Sequence, residues 1–399
     1  MSPASLPLSS EMRALLALVR RRVAPADETT PVPSLAGVDP RKLARLGARH
    51  ALEGLLLRAL EDLESPGGAF VEAARATALP AVAGNLRRMA ELHRVLGVLE
   101  EAQVPALALK GPALAMQAYG DLSLRSYADV DLLVPPNAAE ESVRALTEAG
   151  YTDRRARFGR PPSPRHWHDW GFTAPDGQTL VEVHWFLTSP RRFPAVDSGE
   201  AWEATGNMRV AIGSRTVPAL RPELLLPLLA IHGTSHSWGW LEFPASVAGL
   251  LERTGPDLDW EAVEERVRRW RVRRITAVAL LLARDLFGAP ATVSPPESVR
   301  RALLEDPGAG ALARWYRTHL LLDSETEWYR GSPALWWRKV RMADSAPQAL
   351  RTGWQLLFSP TPAEWEAGEG PGGSTPGPGS GTLALRRVRR LFRRYRERR

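Results

Sequence analysis

The sequence contains no cysteine, which excludes disulfides, thiolate zinc sites and a cysteine nucleophile. Lysine is nearly as scarce: Lys42, Lys110 and Lys339 stand against 49 arginines. No uncharged apolar run reaches the roughly 18 residues that a membrane-spanning helix needs. The start of the chain also lacks a signal-peptide layout, because Arg20, Arg21 and Arg22 follow the apolar stretch instead of preceding it. A cytoplasmic protein is expected.

Positive charge over the body of the chain is missing as well. The net charge is +7, but residues 383–399 hold nine arginines and one glutamate, which is +8, so all other residues together carry −1. A nearly neutral body argues against a template-directed polymerase, whose channel needs sustained positive potential. Within the tail, Leu385, Val388, Phe392 and Tyr395 recur at three- and four-residue spacing among arginines. That pattern predicts a basic amphipathic helix suited to an acidic partner, nucleic acid or an anionic membrane surface, or else a solvated charged terminus.

What is present is a chain long enough for two or three domains. Apolar residues at helical spacing over Glu11–Val23, His50–Leu63 and Asn85–Glu101 predict a helical N-terminal region, 1–103, with Pro80 dividing the third segment. The texture changes at Val104. Pro105–Leu109 reads as a short buried strand, and Gly111-Pro112 opens a helix. Val130–Val134 reads as a second buried strand, with Asn137 as N-cap of the helix that follows. Strand-like stretches at Tyr151–Phe158, His166–Thr173 and Thr179–Leu187 come next, the last two joined by a turn at Pro175-Asp176-Gly177. Met208–Ile212 and Arg215–Val217 suggest a further pair, turned at Gly213-Ser214. The order predicts an α/β (α+β) core with a mixed sheet over 104–218. A helical C-terminal region over 219–367, a flexible Gly/Pro/Ser-rich linker over 368–382 and the tail follow.

Three short motifs carry candidate chemistry. In Ser126-Tyr127-Ala128-Asp129-Val130-Asp131-Leu132-Leu133-Val134, two aspartates two residues apart share one face of a strand. They repel each other unless something positive lies between them. A divalent metal would serve, although two solvated loop aspartates fit the same letters. On that reading, Asp131→Asn is expected to relieve repulsion and stabilise the metal-free protein. The second motif, Leu109-Lys110-Gly111, ends a strand where glycine lets backbone approach a phosphate and lysine adds charge. It also reads as an ordinary strand-to-helix turn. In the third, Leu180-Val181-Glu182-Val183-His184-Trp185, Glu182 and His184 share one strand face, which suits either a third metal carboxylate or a half-exposed strand.

Together, in this order, the three motifs resemble the bacterial family of uncharacterised nucleotidyltransferases within the polymerase-β-like superfamily. The stretches from Ile231-His232 to Trp238 and from Ser359-Pro360 to Trp365 resemble later parts of the same family. The resemblance implies a polymerase-β-like nucleotidyltransferase core. It implies that Asp129, Asp131 and Glu182 are the catalytic carboxylates and bind two Mg²⁺ ions. It also implies that Lys110, Gly111, Arg125 and His184 border an ATP or other nucleoside triphosphate. The general base would be Glu182 or Asp131, with His184 a weaker candidate. The expected reaction moves a nucleoside monophosphate to a small-molecule or protein acceptor. The alternative is an inactive, antitoxin-like binding or regulatory protein. One departure bears on the phosphate contacts: the superfamily usually has serine after the glycine, and this chain has Pro112.

Overall fold

The computed structural model describes residues 8–24, 33–154, 168–189, 194–203, 206–288, 296–321 and 333–358. The linker and the basic tail, 368–399, fall outside the described residues, as do His166 and the Ser359–Trp365 stretch.

Four helices come first: α1 (Ser10–Val23), α2 (Pro40–Arg49), α3 (Glu53–Glu61) and α4 (Gly68–Glu101). Ser9 caps α1 by accepting from Met12 N, and Asp39 caps α2 by accepting from Arg41 N and Lys42 N. Pro80 does not divide α4, which runs through it for 34 residues. An interior proline costs a helix about 3 kcal/mol. Here both halves are held by packing, through Ala74 and Ala78 before the proline and Leu92, Val95, Leu96 and Leu99 after it, all buried. The segment expected as one helix over His50–Leu63 is shorter, because the chain kinks at Ala51 (φ 55°) between α2 and α3.

The sheet is built from β1 (Leu107–Ala108), β2 (Asp129–Leu133), β3 (Thr152–Asp153), β4 (Asp169–Thr173), β5 (Leu180–His184), β6 (Asn207–Ile212) and β7 (Arg215–Leu220). Between them lie α5 (Gly111–Tyr119), α6 (Ala139–Glu148) and the single turn α7 (Gly199–Trp202). Asn137 does not cap α6. Pro136 opens a 3₁₀ turn, Pro136–Ala138, and the α-helix starts only after it. The strand order is β3-β4-β5-β2-β1-β7-β6. It is a mixed sheet, as expected: β2 runs parallel to β5 and antiparallel to β1, β1 is parallel to β7, and β4–β5 and β6–β7 are antiparallel hairpins.

Two central strands set the position of the site. Val130, Leu132, Val181 and Val183 are fully buried on one face of β2 and β5, packed with Leu92, Val95 and Leu99 of α4. Alternation then forces Asp129, Asp131, Glu182 and His184 onto the opposite face.

The chain continues through α8 (Pro222–Ser235), α9 (Glu242–Thr254), α10 (Trp260–Trp270), α11 (Arg273–Phe287), α12 (Glu297–Leu304) and α13 (Pro307–Leu320). Asp259 caps α10 through Ala262 N, as its sequence position predicts. By internal contacts the chain divides into two units: Met1–Pro190 with Pro194–Ser324, and Arg191–Phe193 with Glu325–Arg399. In the second unit, α14 (Pro333–Arg341) and α15 (Ala346–Phe358) pack on each other. No helix among the described residues is long and apolar enough to cross a membrane.

Candidate active site

The register of β2 against β5 pairs Asp129 with Leu180, Asp131 with Glu182, and Leu133 with His184. Paired residues in a sheet share a face, so Asp131 and Glu182 are neighbours across the strands. On the other side of β2, Leu109 N donates to Asp131 O at 3.0 Å, which places Lys110 at the mouth of the same groove. The chain then turns into α5 through Gly111, whose φ of +54° is the left-handed conformation that L side chains rarely adopt.

Asp131 is the hub. Its Oδ2 lies 3.1 Å from Lys110 Nζ and its Oδ1 lies 3.0 Å from His184 Nε2. The same imidazole nitrogen is 3.6 Å from Glu182 Oε2. One donor atom from each of Asp131, Glu182 and His184 lies within 4.8 Å of the others, and Asp129 is not part of that group. His184 Nδ1 is buried without a hydrogen-bond partner among the described residues. The His168 ring meets His184 edge-on, with centroids 5.9 Å apart.

The electrostatics follow from this layout. Burial opposes the Asp131 charge, but the Lys110 ammonium and the bond from His184 outweigh it and hold its pKa well below the ordinary carboxylate range. Burial likewise opposes the His184 cation, yet its bonds to Asp131 and Glu182 push its pKa up to about 10. Lys110 is also raised: burial works against its charge, and Asp131 and Asp129 prevail. Asp129 has no such support. Burial and then Asp131 push its pKa up to about 6, against the pull of Lys110.

This network reverses one expectation from the sequence. The two aspartates are not a bare repelling pair, because Lys110 and His184 already supply the positive charge. Asp131→Asn therefore removes a partner from a buried ammonium, and its expected effect on stability becomes unfavourable. A second consequence concerns pH. The folded-state pKa of His184, about 10, lies above the ordinary histidine value of 6.5, so its stabilisation is fully present below about pH 6.5 and is lost as pH rises through about 10. In EDTA, the urea midpoint is expected to fall across that window, and His184→Gln should flatten the fall. A wild-type midpoint that stays level there would contradict the assignment.

The carboxylates lie beside a cleft of about 500 Å³. Lys110, Gly111, Asp129 and Asp131 line it, together with α4 residues Gly84, Arg87 and Arg88 and the aromatic side chains His232, His236 and Phe243. Glu182 and His184 reach Asp131 from β5 and are not among the lining residues. The loop 120–128 is pinned to α4: Asn85 Nδ2 donates to Leu122 O at 2.9 Å and to Arg125 O at 2.7 Å, and Tyr127 OH donates to Asn85 O. Arg125 lines the cleft, but its Nε lies 2.7 Å from Glu242 Oε1 and donates to Ser246 Oγ at 3.2 Å. His232 is held neutral, its pKa lowered well below the usual range by burial and then by Lys110 and His236.

Three lining residues escape a reading of the sequence. Glu53 accepts from Ser126 Oγ at 2.8 Å, and its other carboxylate oxygen is buried without a hydrogen-bond partner among the described residues. Arg87 and Arg88 sit in a helix more than 20 residues before the first motif, where 49 arginines make two more uninformative. Only the packing of α4 against the 120–128 loop brings Arg88 to Asp129.

Residues 36–288 match the model of a family described as uncharacterised nucleotidyltransferase. Among solved structures, the chain is similar to the antibiotic-resistance factor ANT(2'')-Ia, at 14% identity over 47% of this chain and 94% of that one, with a TM-score of 0.34. It is also similar to an antigenic nucleotidyltransferase-like protein from Paracoccidioides brasiliensis, at 14% identity over 48% of this chain and 88% of that one, with a TM-score of 0.29. No curated protein matches it.

Proposed function

The chain belongs to this family of nucleotidyltransferases, and from that premise we propose that it moves a nucleoside monophosphate from a nucleoside triphosphate to a small-molecule or protein acceptor. Residues 104–218 form the catalytic core between helical regions on this reading. The observation that carries it is the pairing of Asp131 with Glu182 on adjacent central strands, with Asp129 on the same face beside a cleft.

That donor set fits a divalent cation. Oxygens of Asp131 and Glu182 converge on one nitrogen, at 3.0 and 3.6 Å, a position now carrying positive charge from the protein itself. Asp129, Asp131 and Glu182 would hold Mg²⁺, in a two-ion site, since hard oxygen donors suit it. When bound, the metal supplies charge that acidifies the attacking hydroxyl and stabilises the leaving pyrophosphate. The remaining work falls to the protein. Lys110 and Gly111 at the turn and Arg125 beside the loop border the nucleotide, and His184 orients Asp131. Asp131 is a poor proton acceptor, because Lys110 and His184 keep its pKa low. On this reading Glu182, across from Asp131 on β5, takes the proton of the acceptor hydroxyl.

One observation favours the non-catalytic reading: Lys110 and His184 neutralise Asp131 without any metal. Incubation with each α-labelled nucleoside triphosphate, Mg²⁺ and cell extract separates the two. Transfer of label by the wild type and not by Asp131→Asn is expected. Absence of label from every nucleotide and extract fraction would favour a binding protein.

A further inference from the structure

We infer that Arg88 of α4, assisted by Arg87, is the principal clamp for the triphosphate of the nucleotide. This rests on the nucleotidyl-transfer reading and adds to it a subsite outside the motifs. A triphosphate carries several negative charges and needs cations not already committed to carboxylates. Four Lys and Arg side chains line the cleft: Arg87, Arg88, Lys110 and Arg125. Two are engaged, Lys110 to Asp131 at 3.1 Å and Arg125 to Glu242 at 2.7 Å. Arg87 and Arg88 make no ion pair among the described residues, and Arg87 acts electrostatically on Asp176.

Arg88 is the better placed of the two. It is half-buried where Arg87 is exposed, it lines the cleft with Asp129, and its Nε is buried with no hydrogen-bond partner among the described residues. The helix makes room for it: a Cβ at Gly84 would come within 2.6 Å of Arg88 Nη1. Burial of that guanidinium lowers its pKa, so an anion delivered to it removes a standing cost.

The β1–α5 turn is a poor alternative. It has Pro112 after Gly111, so residue 112 offers neither a serine hydroxyl nor an amide hydrogen. A planar fork on a rigid helix supplies bidentate contacts that the turn lacks.

The test is direct binding, by calorimetry in Mg²⁺ buffer, of inorganic tripolyphosphate, the four nucleoside triphosphates and the matching monophosphates. The full-length wild type is compared with Arg88→Gln, Arg88→Ala and Arg88→Lys, each checked for a native circular dichroism spectrum and urea midpoint. The wild type should bind tripolyphosphate and at least one triphosphate. Arg88→Gln should weaken both at least about tenfold, leave the monophosphate nearly unchanged, and be partly rescued by Arg88→Lys. If Arg88→Ala is misfolded, Arg88→Gln, which keeps the stem as far as Cδ and a polar end, carries the comparison. Equal triphosphate affinity in the wild type and Arg88→Gln would overturn the clamp and leave the nucleotidyl-transfer reading standing. A wild type that binds neither tripolyphosphate nor any triphosphate would overturn both.

Discussion

Asp131→Asn is expected to lower nucleotidyl transfer by at least about 10³-fold, or about 4 kcal/mol of transition-state stabilisation. Its carboxylate is the group on which Lys110, His184 and, through His184, Glu182 converge. An amide keeps the shape and removes the charge, so a divalent cation loses its central ligand. The same substitution should destabilise the metal-free protein by about 3 kcal/mol, since it leaves a buried ammonium without its counter-ion. That is the low end for a broken buried pair, because the amide oxygen still accepts from Lys110. Adding Lys110→Met should restore much of the stability and none of the activity. Urea unfolding of the four proteins in the double-mutant cycle measures the first half, and label transfer measures the second. An Asp131→Asn protein that turns over normally would sink the catalytic assignment.

Arg125→Met is expected to cost about 3–5 kcal/mol of stability, a large share of the margin by which a typical domain is folded. The Arg125 and Glu242 side chains are only 7% and 8% exposed, and Glu242 Oε1 accepts from both Arg125 and Ser246 Oγ. Removing the guanidinium leaves that buried carboxylate without its counter-ion between the 120–128 loop and α9. Replacing both partners by apolar residues of similar volume, Arg125→Met with Glu242→Met, should recover most of the loss. With the fold restored, the double variant also separates architecture from ligand contact. Retained triphosphate affinity means that Arg125 acts by holding the loop. Lost affinity at recovered stability would mean that its buried Nη1, without a hydrogen-bond partner among the described residues, contacts the nucleotide directly.

Much of the core is legible from residue order. The alternation in Asp129-Val130-Asp131-Leu132 and in Leu180-Val181-Glu182-Val183-His184 specifies which side chains share a face, because a strand has a period of two. The hairpin of β4 and β5 is legible from Pro175-Asp176-Gly177, and the cap at Asp259 from its place before an amphipathic run. Helix continuity is less so. Pro80 looks like a boundary locally and is absorbed because α4 has buried partners on both sides of it.

The metal-ligand candidates Asp129, Asp131 and Glu182, and the strand faces they occupy, follow from the sequence by itself, since both depend on side-chain chemistry and the pleat of a single strand. The choice of neighbours was left to the tertiary structure. It set β2 beside β5 in the register that joins Asp131 to Glu182, and it bent the 120–128 loop so that Arg125 meets Glu242 of α9. It also laid α4 across that loop, bringing Arg88 toward Asp129. The reason is physical: strand pairing and helix docking are decided by burying apolar faces far apart in the chain, such as Val130 and Val183 in one core with Leu92 and Val95 of α4, and no local pattern records which faces will meet. The charge on Asp131 shows what depends on that choice, for two aspartates that look repulsive along the chain become, once Lys110 and His184 are folded against them, the most strongly compensated carboxylate in the site.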